Sequence, residues 1–168
     1  MEKILHHLKK NQIIQQMIHH VQNNENIYIN NTNEANALLV LLSLFQSTNK
    51  TFFIITPNIY TAQLVYDQLS KVMNKDLINF YPQDEFLSNE LLVSSNEFRL
   101  ERINTIDKII NEKPRIVVTN LYGILKPQFE KNKWLESFIK IEKGGIYPIE
   151  FLKERLINYG YNHQYTVE

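Results

Sequence analysis

Cysteine is absent from all 168 residues. That excludes disulfides and thiolate zinc sites, and it fits a reducing, cytoplasmic setting. Glycine is nearly as scarce, occurring only at Gly123, Gly144, Gly145 and Gly160. No glycine-rich loop can therefore form ahead of Gly123. Neither sign of charge is in excess, since Lys plus Arg and Asp plus Glu both number 18. The chain as a whole then has no electrostatic pull toward nucleic acid or anionic lipid. Long apolar runs are missing as well. The longest, Ala37 to Phe45, is interrupted by Ser43 and falls far short of the roughly 20 residues that span a bilayer. The first residues, MEKILHHLKKNQ, lack the continuous apolar stretch of a secretory signal.

What is present is a rhythm of short apolar strands and helices. Apolar residues at Ile4, Leu5, Leu8, Ile13, Ile14, Met17, Ile18 and Val21 predict one amphipathic helix over residues 3–22. Ile27-Tyr28-Ile29 reads as a short strand. The run Asn30-Asn31-Thr32-Asn33 is rich in turn and N-cap chemistry and precedes a helix, apolar nearly all round, from Glu34 to Gln46. A buried strand, Thr51 to Thr56, is stopped by Pro57-Asn58, and Tyr60 to Met73 reads as the next helix. A strand at Leu77 to Tyr81, a helix at Glu97 to Asn111 and a strand at Arg115 to Thr119 follow. Strands alternating with helices in this way imply crossover connections and a mostly parallel sheet flanked by helices, an α/β architecture.

The pattern changes after Pro127. Residues 137–142, SFIKIE, alternate with period two, as in a half-exposed strand. Pro148 to Tyr159 reads as a helix opened by proline, with Gly160 at its C-terminal cap. Asn162 to Val167 reads as a further strand. The expected boundary lies near residue 127, with one domain over 1–127 and the incomplete beginning of a second, α+β domain over 128–168.

The strand, turn and buried helix from Ile27 to Gln46 occupy the place of a phosphate-binding loop. Such a loop needs glycines, so that backbone N–H groups can wrap the phosphates, and a lysine that reaches the β- and γ-phosphates. The positions that would form it, Asn30, Asn31, Thr32 and Asn33, supply neither. The reading is a degenerate P-loop that holds no nucleotide cofactor.

Four segments together resemble the amino-terminal region of the bacterial transcription-repair coupling factor family, Mfd. That region is itself similar to the first domains of the excision-repair protein UvrB. Residues 52–72, FFIITPNIYTAQLVYDQLSKV, are similar to the strand, Pro-Asn turn and helix that follow the P-loop position. Residues 80–103, FYPQDEFLSNELLVSSNEFRLERI, resemble the Tyr-Pro and acidic stretch leading into a Ser-x-Glu-x-Arg-x-x-Arg helix start. Residues 115–127, RIVVTNLYGILKP, resemble the strand and turn closing the first subdomain, and residues 144–161, GGIYPIEFLKERLINYGY, the entry to the second domain. UvrB keeps an intact P-loop whereas the coupling factors do not, so the missing glycines and lysine favour the latter.

The resemblance implies a UvrB-like module that is not itself an enzyme. Full-length members are ATP-dependent DNA translocases that displace stalled RNA polymerase and recruit UvrA, with ATP and magnesium held in motor domains far toward the C-terminus. The module serves UvrA docking and restrains the resting enzyme through other domains of the same protein, with no membrane involved. The docking surface lies on the second domain, of which this chain carries only the start, and an arginine often found after the Gly-Tyr is replaced by Asn162. Both departures weigh on UvrA binding by these residues alone. The alternative is a UvrB-like or helicase-like nucleotide-dependent enzyme.

Within that frame, Arg155, Tyr159, Tyr161 and His163 are the candidate partner-binding residues, since arginine and aromatic side chains anchor interfaces. The plainer reading is that Tyr159 and Tyr161 pack locally. Trp134 is a candidate anchor for the second domain. Thr56-Pro57-Asn58 and Thr119-Asn120 stand at C-terminal strand ends, where open α/β sheets place ligands, but capping and turn formation are the favoured reading, because no lysine or arginine cluster accompanies either loop to neutralise phosphate. Arg99, Glu101, Arg102 and Lys108 read as a solvated charged helix face. His6-His7 and His19-His20 are 13 residues apart, too far along one straight helix to share a metal ion.

Overall fold

The structure is a computed structural model that describes residues 2–83, 96–111, 114–125, 127, 130–139, 141–162 and 164. The chain divides into two compact units, residues 1–127 and 128–168.

Unit 1 opens with two helices where one continuous helix is expected. Helix α1 covers Glu2–Leu8 and α2 covers Gln12–Gln22. Asn11 makes the break: its backbone is extended and its side chain accepts the Ile13 N–H at 2.9 Å. A short polar side chain that can bond the backbone locally favours such a cap over a helix interior. The break lets both helices pack on α3, Glu34–Ser47. Leu5 joins the main core, while Ile14 and Ile18 form a second cluster with Leu44.

The sheet comprises β1 (Phe52–Thr56), β2 (Ile78–Tyr81) and β3 (Ile116–Asn120), in the order β1-β3-β2, with both pairings parallel. Val118 sits opposite Ile54 on one side and Phe80 on the other. Period-two alternation then sends Phe52, Ile54, Ile78, Phe80, Ile116 and Val118 to one face. There they meet Leu5, Leu42, Ala62 and Leu69 from α1, α3 and α4, Ile59–Ser70. The opposite face carries Phe53 and Ile55 on β1, Val117 and Thr119 on β3, and Asn79 and Tyr81 on β2. Helix α5, Asn96–Asn111, packs there against β2, with Thr105 donating its hydroxyl to the Phe80 carbonyl at 2.9 Å, and the short helix α6, Leu121–Leu125, follows β3.

The connection β1–α4–β2 steps across β3 on the core face. The connection β2–α5–β3 steps back on the other face. Successive right-handed crossovers running in opposite senses must use opposite faces, as they do here. The α/β reading with parallel strands therefore holds.

Two strand expectations do not, and a third falls largely outside the described residues. Ile27-Tyr28-Ile29 is in no ladder, and Tyr28 is 89% exposed. A strand exists only through its partner, and among the described residues β1 and β2 each pair with β3 alone. Residues 137–142 are also not a strand where they are described. Ser137 instead ends a short helix, α7 (Lys131–Glu136), giving its hydroxyl to the Trp134 carbonyl at 2.7 Å. Burial of Trp134 against Phe138, with ring centroids 5.3 Å apart, overrides the alternating pattern. Asn162 and Gln164 are likewise in no strand, and the remainder of that expected strand, apart from these two, lies outside the described residues.

Unit 2 holds α7 and α8, Ile149–Asn158. Gly160 ends α8 at φ +89°. Its N–H reaches the Ile157 carbonyl at 2.9 Å and that of Tyr161 reaches Leu156 at 3.0 Å, the paired bonds of a Schellman cap.

Candidate functional site

Three places in the fold answer to the sequence candidates. The first is the start of α3. Asn33 is its N-cap, and its side-chain oxygen accepts the Asn36 N–H at 2.8 Å. Asn31 adopts φ +55°, a left-handed conformation that asparagine tolerates better than most residues. Asn30, Asn31, Thr32 and Asn33 are all exposed. Glu34 stands in the first turn, where its carboxylate occupies the electrostatically favourable position at the positive end of the helix dipole. The turn thus caps its own helix and presents acidic and amide side chains where a phosphate loop presents backbone N–H groups and a lysine.

The second place is the carboxyl end of the sheet. Connections from β1 and β2 leave here toward opposite faces, the arrangement that opens a ligand crevice in doubly wound sheets. In this chain the space is spanned by internal hydrogen bonds. The Thr119 hydroxyl donates to the Tyr81 carbonyl at 2.6 Å. The Asn120 side chain gives its amide to the Gln83 carbonyl at 2.8 Å and accepts the Gln83 N–H at 3.2 Å. The Thr56 hydroxyl lies 2.8 Å from the Asn58 carbonyl and 3.2 Å from that of Thr119. Asn58 itself caps α4 by accepting the Thr61 N–H at 2.8 Å. The two loop candidates are thus engaged in capping and in strand-end ties.

Arg102 departs from the expected solvated face. Its guanidinium lies 4.5 Å from the centre of the Tyr81 ring, donates to the Tyr81 hydroxyl at 3.0 Å and reaches the Gln83 side-chain oxygen. Sequence reasoning missed this role because the periodicity of α5 places Arg102 among exposed charges. The one available signal was Tyr81 at the end of the strand that α5 follows.

The third place is the end of α8 in unit 2. Arg155 lies over the Phe151 ring at 5.6 Å. Tyr159 donates its hydroxyl to the Glu136 carbonyl at 2.6 Å, tying the helix end to α7. Tyr161 is 64% exposed and lines a shallow cavity of about 210 Å³ with Lys153, Leu156, Ile157, Asn162 and Gln164. Arg155 and Tyr159 are consecutive on one helical stripe, whereas Tyr161 faces that separate cavity. His163 lies outside the described residues.

The histidine pairs fall on separate helices. His20 bonds the Glu25 carboxylate, and the His19 ring lies 3.0 Å from the Asn23 amide. Among the described residues no three metal-ligating side chains gather, and no helix is long and apolar enough to cross a membrane.

No protein-family model matches the chain. Individual relatives do. A transcription-repair-coupling factor of Bacillus subtilis is 33% identical over 119 residues, covering 71% of this chain and 10% of that protein. This chain belongs to the transcription-repair-coupling factor family. A relative of the same name from Staphylococcus haemolyticus is 19% identical over 143 residues, 85% of this chain and 12% of its own length. One from Staphylococcus aureus is 21% identical over 123 residues, covering 73% of this chain and 10% of its own. The chain therefore spans about a tenth of the length of the coupling factors it matches.

Proposed function

We propose that this part of the coupling factor is a docking module without catalytic chemistry of its own. It joins UvrA to the rest of the protein and restrains the resting enzyme through contacts with other domains. In this reading the complete protein is a cytoplasmic ATP-dependent DNA translocase. Its ATP and magnesium sites lie in other domains, and DNA and RNA polymerase are engaged through those domains.

The observation that carries the reading is the start of α3. A nucleotide site built on this frame would use that turn. The turn is exposed, spends its capping acceptor on its own Asn36 N–H, and carries Glu34 where a triphosphate would meet repulsion. The filled carboxyl end of the sheet supports the same reading. Partner binding is assigned to unit 2, to Arg155, Tyr159 and Tyr161 at the end of α8, with Arg155 stacked on Phe151 and Tyr161 largely exposed, and to His163, the next but one in sequence after Tyr161 and outside the described residues. The family relationship supports UvrA as that partner.

Isothermal titration with ATP and magnesium tests the first half, and micromolar binding would overturn it in favour of a nucleotide-dependent UvrB-like enzyme. Capture by UvrA tests the second. A version extended through the whole second domain should be retained clearly, and the 168-residue chain weakly or not at all. Equal retention would place the surface within the present residues, and no retention of either would remove UvrA from the proposal.

A further inference from the structure

Among the described residues, no carboxylate pairs with the Arg102 guanidinium. It donates to the Gln83 side-chain oxygen and, at 3.0 Å, to the Tyr81 hydroxyl, and it lies 4.5 Å from the centre of the Tyr81 ring. All of these groups are neutral. On the adjoining turns of α5, positions 98, 99, 105 and 106 are the neighbours of Arg102, and Phe98, Arg99, Thr105 and Ile106 include no acid. Arg99 adds charge of the same sign. A guanidinium has five N–H donors, so these bonds leave enough donors for the paired bonds that a carboxylate accepts. The side chain is only partly buried, which keeps it open to an incoming group.

Its support is fixed. Tyr81 and Gln83 are both buried. The Tyr81 carbonyl receives the Thr119 hydroxyl, and the Gln83 backbone is tied at its N–H and its carbonyl to the buried Asn120 side chain. A charged group held in this way has little rotational freedom left to lose on binding. The place is the carboxyl end of the sheet, where open α/β folds present the groups that contact ligands. Helix α6 begins at the same end, close enough that a Cβ on its Gly123 would stand 3.1 Å from the Tyr81 carbonyl. Its Leu121, Tyr122 and Leu125 are exposed.

We propose that Arg102 receives the carboxylate of an aspartate or glutamate on a protein partner that docks at the carboxyl end of the sheet. The ligand chemistry follows from the donors. A guanidinium matches a planar, singly charged carboxylate in both charge and shape. A phosphate brings more charge and more acceptor oxygens, and the strand-end groups that would serve them are already engaged. The Thr119 and Thr56 hydroxyls are bonded to carbonyls, the Asn120 amide is given to Gln83, and Asn58 caps the start of α4. The exposed apolar side chains of α6 favour a protein over a free acid, since interfaces combine arginine with aromatic and other apolar surface. The inference concerns unit 1 alone and does not depend on capture of UvrA by unit 2.

Arginine side-chain NMR tests it, with the 168-residue chain titrated at constant ionic strength with a blocked Gly-Glu-Gly peptide and with its Gly-Gln-Gly counterpart. The Arg102 guanidinium resonances should move saturably with the first peptide and not with the second. Arg155 lies over the Phe151 ring at 5.6 Å without anchoring bonds of that kind among the described residues. It should bind the same peptide about two- to tenfold more weakly, the usual effect of a side chain that must be immobilised on binding. Tyr81→Phe keeps the ring and removes the hydroxyl acceptor, so it should weaken binding at Arg102 by a factor of about two to ten while leaving the circular dichroism unchanged. The comparison with Arg155 decides alone if that variant fails to fold. No saturable shift at Arg102, equal shifts with the two peptides, or equal binding at the two arginines would overturn the proposal. So would tighter binding of inorganic phosphate than of the peptide at Arg102, which would make it a phosphate site. A response that appears only after Asp84→Asn and Glu85→Gln would also overturn it, by giving the guanidinium a carboxylate from its own chain.

Discussion

Thr119 and Tyr81 are joined across the carboxyl ends of β3 and β2 by a 2.6 Å hydrogen bond from hydroxyl to carbonyl, and it lies where a side chain at Gly123 would stand. A Cβ at position 123 would stand 2.2 Å from the Thr119 hydroxyl oxygen and 3.1 Å from the Tyr81 carbonyl. Gly123→Ala should therefore destabilise unit 1 by about 2 kcal/mol, the usual scale of overpacking combined with a displaced buried hydrogen bond. Chemical denaturation followed by far-ultraviolet circular dichroism reads the loss. In a Thr119→Ala background the same change should cost clearly less, because the atom it strikes is gone. Additive losses would show that the clash lies elsewhere.

Arg102 is the second member of the strand-end arrangement with a measurable contribution. Its guanidinium combines a ring contact with Tyr81 at 4.5 Å and donation to the Tyr81 hydroxyl at 3.0 Å. Arg102→Met should lower stability by about 1–3 kcal/mol. Arg102→Lys should recover little of it, since an ammonium cannot stack on the ring while reaching two acceptors. Full recovery by lysine in urea melts would reduce the role of Arg102 to charge alone.

The difference between Arg102 and its neighbours shows what local sequence can carry. The strands at residues 52–56, 78–81 and 116–120 and the helices at 34–47, 59–70 and 96–111 were legible because each carries an apolar stretch of the right period. Gly160 was legible because only a left-handed cap calls for glycine there. The failures share a physical cause. Ile27–Ile29 and residues 137–142 have strand composition, but whether a strand forms depends on a partner edge that composition does not specify. The break at Asn11 turned on one side chain preferring its own backbone to a solvated helix interior. At the sheet end, Thr119 and Asn120 were legible as strand-end residues, while their bonds to Tyr81 and Gln83 depend on a strand order, β1-β3-β2, that periodicity does not reveal.

The start of α3 gives a prediction that separates capping from binding. Asn33 accepts the Asn36 N–H at 2.8 Å, so Asn33→Ala should cost about 1 kcal/mol, whereas Asn33→Ser or Asn33→Asp should be nearly neutral. Added ATP and magnesium should leave the melting temperature of all of these proteins unchanged. A nucleotide-dependent rise in melting temperature for the wild type, lost in Asn33→Ala, would mean that the turn binds phosphate after all.

The exposed pair at the end of α2 gives a prediction about pH. The Glu25 carboxyl is held below its ordinary value of 4.5, chiefly by the hydrogen bond from His20; desolvation opposes this as the next effect, and the charges of His20 and His19 and a hydrogen bond from Asn23 add to the lowering. A carboxyl whose folded value is depressed stabilises the fold above its unfolded value, and that contribution is lost as pH falls through the folded value. The window therefore lies on the acid side of the ordinary carboxylate range. Carbon-detected NMR titration of Glu25 should give a midpoint below that of an unpaired glutamate. His20→Gln should move the midpoint upward, toward the ordinary value. Because the pair is on the surface, stability should change little in either protein. A midpoint unaffected by His20→Gln would show that the contact seen between the two side chains is not maintained in solution.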